Sequence, residues 1–126
     1  MILKFRAWDK NTNDMVDVKT IDLEKDGSIG CIVDYNGINL DVSECILMQS
    51  TGLKDKNGVE IFEGDVLYYI PFESHINNSI VVFEKGSFCK KMLRNGKLTS
   101  VKFIDSEEYE VIGNIHENPE LLEVAE

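Results

Sequence analysis

The sequence predicts a mainly β fold: a single domain over residues 1–126, built from short antiparallel strands as a small barrel or rolled sheets, with a short C-terminal helix. Three observations lead there. Turn-forming clusters recur roughly every ten residues, as all-β chains require. The apolar segments between them are short and either alternate or run apolar on both faces. No sustained helical periodicity appears before the C-terminal tail.

Taken in order, Ile2 to Trp8 alternates Leu3, Phe5 and Ala7 against Lys4 and Arg6, the pattern of a half-buried strand. Asp9 to Asn13 is all turn formers, and Met15 to Ile21 returns as a second strand. Asp26-Gly27 marks the next turn. Asp34-Tyr35-Asn36-Gly37 marks another, with Ile29–Val33 and Ile38–Val42 as the arms of a bulged hairpin. Ser43 to Gln49 reads better as strand than as a helical turn.

Asp55-Lys56-Asn57-Gly58 repeats that turn pattern and admits two geometries. A two-residue type I′ turn sets Asp55 opposite Glu60, an unfavourable pairing of like charges. A type I turn with Gly58 left-handed in a bulge sets Lys54 opposite Glu60 and Leu53 opposite Ile61. The bulged hairpin is the better reading. Glu63-Gly64-Asp65 bends the chain again, and Val66 to Ile70 enters the core as a strand apolar on both faces.

Pro71 ends that strand, because proline cannot donate to a ladder, and the polar stretch to Ser79 reads as a mobile loop. Ile80–Phe83, Ser87–Leu93, Leu98–Ile104 and Tyr109–Ile115 complete the strands. Asn118-Pro119-Glu120 has the cap, first-turn proline and early acid of a short helix.

Composition narrows the function. Apolar residues make up 43% of the chain, too many for disorder. No secretory leader opens at Met1 and no apolar run approaches a membrane span, so a cytoplasmic location without membrane contact is expected. Cys31, Cys45 and Cys89 are odd in number and lack CxxC spacing, which suits free thiols in a reducing compartment. The net charge of −10, from 23 acidic against 13 basic residues, disfavours a protein that grips phosphates. Lys85, Lys90, Lys91, Arg94, Lys97 and Lys102 lie close together, and solvated strand faces explain them better than a binding patch.

Catalytic signatures are missing: no glycine-rich phosphate loop, zinc-binding helix, nucleophile elbow or EF-hand loop occurs. His75 and His116 each stand near an acid (Glu73; Glu117), but two separated histidines without further ligands make a poor metal site. Glu63 and Asp65 flank Gly64 as a carboxylate pair; a turn in which the Asp bonds its own backbone accounts for them more simply. Tyr68, Tyr69, Phe72, Phe83 and Phe88 suggest core or subunit contact before they suggest a base-stacking platform. No catalytic residue, cofactor or metal is expected.

Three blocks carry a family likeness: Lys4-Phe5-Arg6-Ala7-Trp8-Asp9, the stretch from Met48 to Leu67, and Val111 to Leu122. Together they resemble the YopX family, encoded by bacteriophages and prophages. Ser50 and His116 depart from the aromatic residues that pattern carries. The resemblance implies a mainly β fold, homo-oligomers, and a phage accessory protein of the host cytoplasm, and it brings no activity or catalytic residue. Its motif positions are Trp8, Thr51, Gly52, Leu53, Asp55, Gly58, Glu63, Gly64, Asp65, Gly113, Asn114, Glu117 and Pro119, mostly turn, cap or core types with a structural or interface role. The expected function is therefore non-enzymatic binding of a host or phage protein. A nucleic-acid-binding small barrel is the alternative, and a cryptic metal-dependent enzyme ranks behind it.

Overall fold

The computed structural model describes residues 4–69, 78–84, 86–94, 97–102 and 108–122. The chain divides into two units, Met1–Ser50 and Thr51–Glu126. The first holds β1 (Phe5–Asp9), β2 (Asp14–Leu23), β3 (Ile29–Asp34), β4 (Asn39–Asp41), a 3₁₀ turn at Val42–Glu44 and the opening of β5 (Cys45–Lys54). The second holds the end of β5, then β6 (Glu60–Phe62), β7 (Asp65–Tyr69), β8 (Ser79–Glu84), β9 (Ser87–Arg94), β10 (Lys97–Lys102), β11 (Tyr109–Asn114) and a 3₁₀ turn at Pro119–Leu122.

The strands form two antiparallel sheets, ordered β4-β3-β2-β1-β5-β6 and β10-β9-β8-β7-β11. Both are open, with different strands at their two ends, so the mainly β expectation is met by rolled-out sheets and not by a closed barrel.

Each unit has its own core. In the first, Ile21, Ile32 and Leu40 lie in one row across β2, β3 and β4 and pack with Ala7, Val18 and Cys45. Strict alternation would turn Ile21 away from Val18. A bulge between Val18 and Thr20 absorbs one residue and returns Ile21 to the core face. In the second, Ile61, Leu67, Val81 and Tyr109 form the buried cluster, with Phe88 and Val111 against it. Ile61 and Leu67 are fully buried, and each contributes about 2–3 kcal/mol of transfer free energy.

Several expectations need correction. Cys45 opens β5, while Ser43 and Glu44 belong to the preceding 3₁₀ turn, where Asp41 Oδ1 accepts the Ser43 N–H at 2.9 Å. The C-terminal element is a 3₁₀ turn and not a helix: Leu121 N–H bonds the Asn118 carbonyl three residues back, the tighter spacing. Ser79 is no loop residue but the fully buried start of β8. Ile2, Leu3, Ile70, Pro71, Phe72, Glu73, His75, Lys85 and the polar stretch up to Asn77 lie outside the described residues.

Candidate functional site

The tip of the β5–β6 hairpin carries the most demanding side chain. Asp55 N–H bonds the Val59 carbonyl and Gly58 N–H bonds the Asp55 carbonyl, at 2.8 and 3.0 Å, with Gly58 at φ +80°. Those are the bonds of a type I turn with a glycine bulge, the geometry that keeps Asp55 from facing Glu60. Asp55 Oδ1 accepts the N–H groups of Asn57 and Val59, at 2.8 and 2.9 Å. Its Oδ2 accepts the Val111 N–H of β11 at 2.8 Å, and Lys56 N–H donates to the Tyr109 carbonyl at 3.0 Å. The turn thus grips an extended strand by one carbonyl and one amide two residues apart.

The other motif residues serve the same end. Thr51 Oγ1 donates to the Ile61 carbonyl and accepts the Leu53 N–H, at 2.8 and 3.1 Å. Gly64 adopts φ +83°, its N–H bonds the Val81 carbonyl and its carbonyl accepts the Ile115 N–H. Asp65, 2% exposed, accepts the Phe62 N–H through Oδ2 at 2.8 Å. At the far end Asn114 Oδ1 accepts the N–H groups of His116 and Glu117, while its Nδ2 donates to Glu117 Oε1. A Cβ on Gly113 would lie 2.8 Å from Asn118 Cγ and 2.9 Å from Leu121 Cδ1, so only glycine lets this turn close. Pro119 opens the 3₁₀ turn, Gly52 takes φ +78° within β5, and Leu53 is exposed. Trp8, in the first unit, is half-buried between its register partners Met15 and Ile46.

The structure joins the central and terminal motif blocks, through Asp55 with Val111 and Gly64 with Ile115. Of the Glu63 and Asp65 carboxylates, that of Asp65 accepts the Phe62 N–H, the bond of an aspartate that holds its own turn. Among the described residues no group of three His, Cys, Asp or Glu side chains could hold a metal ion. His116 is half-buried in the turn after β11.

Within the basic stretch, Lys91 pairs with Glu84 at 2.6 Å. Lys90 lies over the Tyr109 ring, 4.7 Å from its centroid, with Nζ donating to the phenol oxygen. Arg94, Lys97 and Lys102 stand on the β9–β10 hairpin. Phe83 meets Phe88 edge to face at 4.9 Å, and Phe83 is half exposed. Tyr68 is half-buried on β7. The three cysteines are free thiols. Desolvation raises the Cys31 thiol above its ordinary range, helped by the Asp22 carboxylate beside it, and burial raises Cys45 likewise.

Sequence reasoning missed Tyr109 and Val111 as the turn's partners. They contribute backbone atoms, which leave no side-chain signature. Asn78, whose amide donates to the Leu121 carbonyl at 2.8 Å, was hidden in a polar stretch read as loop.

The YopX protein family matches residues 4–123, nearly the whole chain. The chain belongs to the YopX family. Its fold is similar to the crystal structure of protein EF1440 from Enterococcus faecalis, with TM-score 0.73, 32% identity, and coverage of 98% of this chain and 99% of that one. A likeness of fold also links it to protein yopX from Bacillus subtilis, with TM-score 0.61, 22% identity, and coverage of 95% and 98%. No curated protein matches the chain. YopX is a family of unknown function. No helix among the described residues is long and apolar enough to cross a membrane.

Proposed function

We propose that this YopX protein is a non-enzymatic accessory protein of phage or prophage, an oligomer that works in the host cytoplasm by binding a host or phage protein. One observation carries the reading. Three polar residues of the family pattern are engaged with backbone groups: Asp55 with three amides, Asp65 with Phe62, Asn114 with two. A carboxylate held this way by backbone donors serves the fold and is badly placed to move protons for a substrate. Large apolar side chains are meanwhile exposed, Leu23, Tyr35 and Ile38 in the first unit and Leu53, Val59 and Phe83 in the second. Surface of that kind suits association.

The test is affinity capture of the tagged protein from host lysate, with and without nuclease, read by mass spectrometry. A protein retained at stoichiometric level after nuclease treatment is the expected result. Partners that vanish with nuclease would transfer the assignment to nucleic acid. Light scattering across micromolar concentrations checks the oligomer, and a monomer throughout would remove that part of the reading.

A further inference from the structure

The turn gripping β11 has a twin. Asp34 to Ile38 repeats every bond of Asp55 to Val59. Asp34 N–H bonds the Ile38 carbonyl, Gly37 N–H bonds the Asp34 carbonyl, and Asp34 Oδ1 accepts the N–H groups of Asn36 and Ile38 at 2.8 and 2.9 Å. Gly37 sits at φ +79°, beside +80° for Gly58. The two aspartates are equally buried, 6% and 5% exposed. The twins differ in what they hold. Asp34 Oδ2 accepts no hydrogen bond among the described residues and is not sealed from solvent, and Tyr35 N–H, the counterpart of Lys56 N–H, has no acceptor there either.

From this we infer that the 34–38 turn is the docking point for an extended, basic segment of a partner protein, gripped as the 55–59 turn grips β11. The internal twin specifies the chemistry: a carbonyl to meet Tyr35 N–H and, two residues on along an extended strand, an amide to meet Asp34 Oδ2. Side chains fill in the rest. Tyr35 and Ile38 are 68% and 56% exposed on the turn, ready to cover apolar side chains of the incoming strand. Between residues 14 and 44 eight carboxylates stand against two lysines, so the complement is basic. A second copy of this chain, itself at −10, is the wrong charge for that surface. The inference rests on the binding-protein reading and names the surface and the partner's chemistry.

A probe can be cut from the chain itself. A fluorescent peptide of residues 108–115 carrying Glu108→Lys and Glu110→Lys presents the β11 backbone with basic side chains. The full chain should bind it saturably, at least tenfold tighter than the unsubstituted peptide at low salt. Tyr35→Pro removes the N–H at a turn position that favours proline, and Asp34→Asn keeps the Oδ1 acceptor while presenting an NH₂ to the incoming amide. Each should weaken binding at least tenfold, whereas Lys56→Pro, the same change in the occupied twin, should leave it intact. Absence of saturable binding to the full chain, or binding indifferent to both turn variants, would overturn the inference. The broader reading fails separately, only if capture from lysate retains no protein partner, because a partner held on any other surface is retained by the full chain and by Tyr35→Pro alike.

Discussion

The turns at 34–38 and 55–59 share one local structure and have opposite surroundings. Both begin with an aspartate whose Oδ1 takes the amides two and four residues on, and both end with a left-handed glycine. Among the described residues only the second turn meets a strand, through Asp55 Oδ2 and Lys56 N–H. A third hairpin, Glu24 to Ser28, has the same two backbone bonds but opens with glutamate, and the supporting carboxylate moves to Asp26, bonded to Ser28 N–H and Oγ at 2.9 and 2.6 Å. The comparison separates two roles that one residue type can hold. One carboxylate oxygen builds the turn, and the other is available to build an interface.

Removing the carboxylates should separate the twins most. Asp55→Ala loses the turn bonds and leaves the Val111 amide without its charged acceptor, at an expected cost of about 3–4 kcal/mol. Asp34→Ala loses the turn bonds alone, about 1–2 kcal/mol. Urea denaturation measures both, and equal losses would break the comparison.

Proline at the second turn position sharpens it further, because the sign should differ. Lys56→Pro removes a donor from the Tyr109 carbonyl and should destabilise by about 1 kcal/mol. Tyr35→Pro removes an N–H that bonds nothing among the described residues and restricts the unfolded chain, for a gain of up to about 1 kcal/mol. Melting temperatures that shift in the same direction would count against the twins' difference.

The smallest effect is electrostatic and belongs to the third hairpin. The Ser28 hydroxyl, and after it the Ser28 amide, hold the Asp26 carboxyl below its ordinary value. A lowered carboxylate supports the fold at pH above its unfolded value, and that support is lost as pH falls through the folded one. An NMR titration should place the Asp26 midpoint below the ordinary ~3.9, and Ser28→Ala should return it upward. An unchanged midpoint in Ser28→Ala would assign the shift elsewhere.

How much of this is legible in the sequence depends on which atoms do the bonding. The 55–59 geometry is readable because charge decides it: one register opposes Asp55 to Glu60 and the other does not. The Glu63-Gly64-Asp65 bend is readable for a similar reason, since an Asp after a glycine bend favours its own backbone. Strand existence follows from alternation, but the bulge at Val18 and Thr20 does not, because a side-chain pattern cannot show which backbone group leaves the ladder. Sheet closure is equally hidden. Open sheets and a barrel demand the same alternation, so the barrel alternative had no sequence signal against it. The grip of Asp55 on β11 joins residues 56 apart in sequence through an amide, and any residue but proline could have supplied that amide.

Amide hydrogen exchange at residue resolution tests the twin-turn account most directly, since it reads the two donors that distinguish the turns. In the free protein Lys56 and Val111 should be protected from exchange, on the order of a hundredfold or more over Tyr35, which should exchange as an open turn amide does. Lys56 exchanging as fast as Tyr35 would show that the 55–59 turn does not hold β11, and the account of its twin would fall with it.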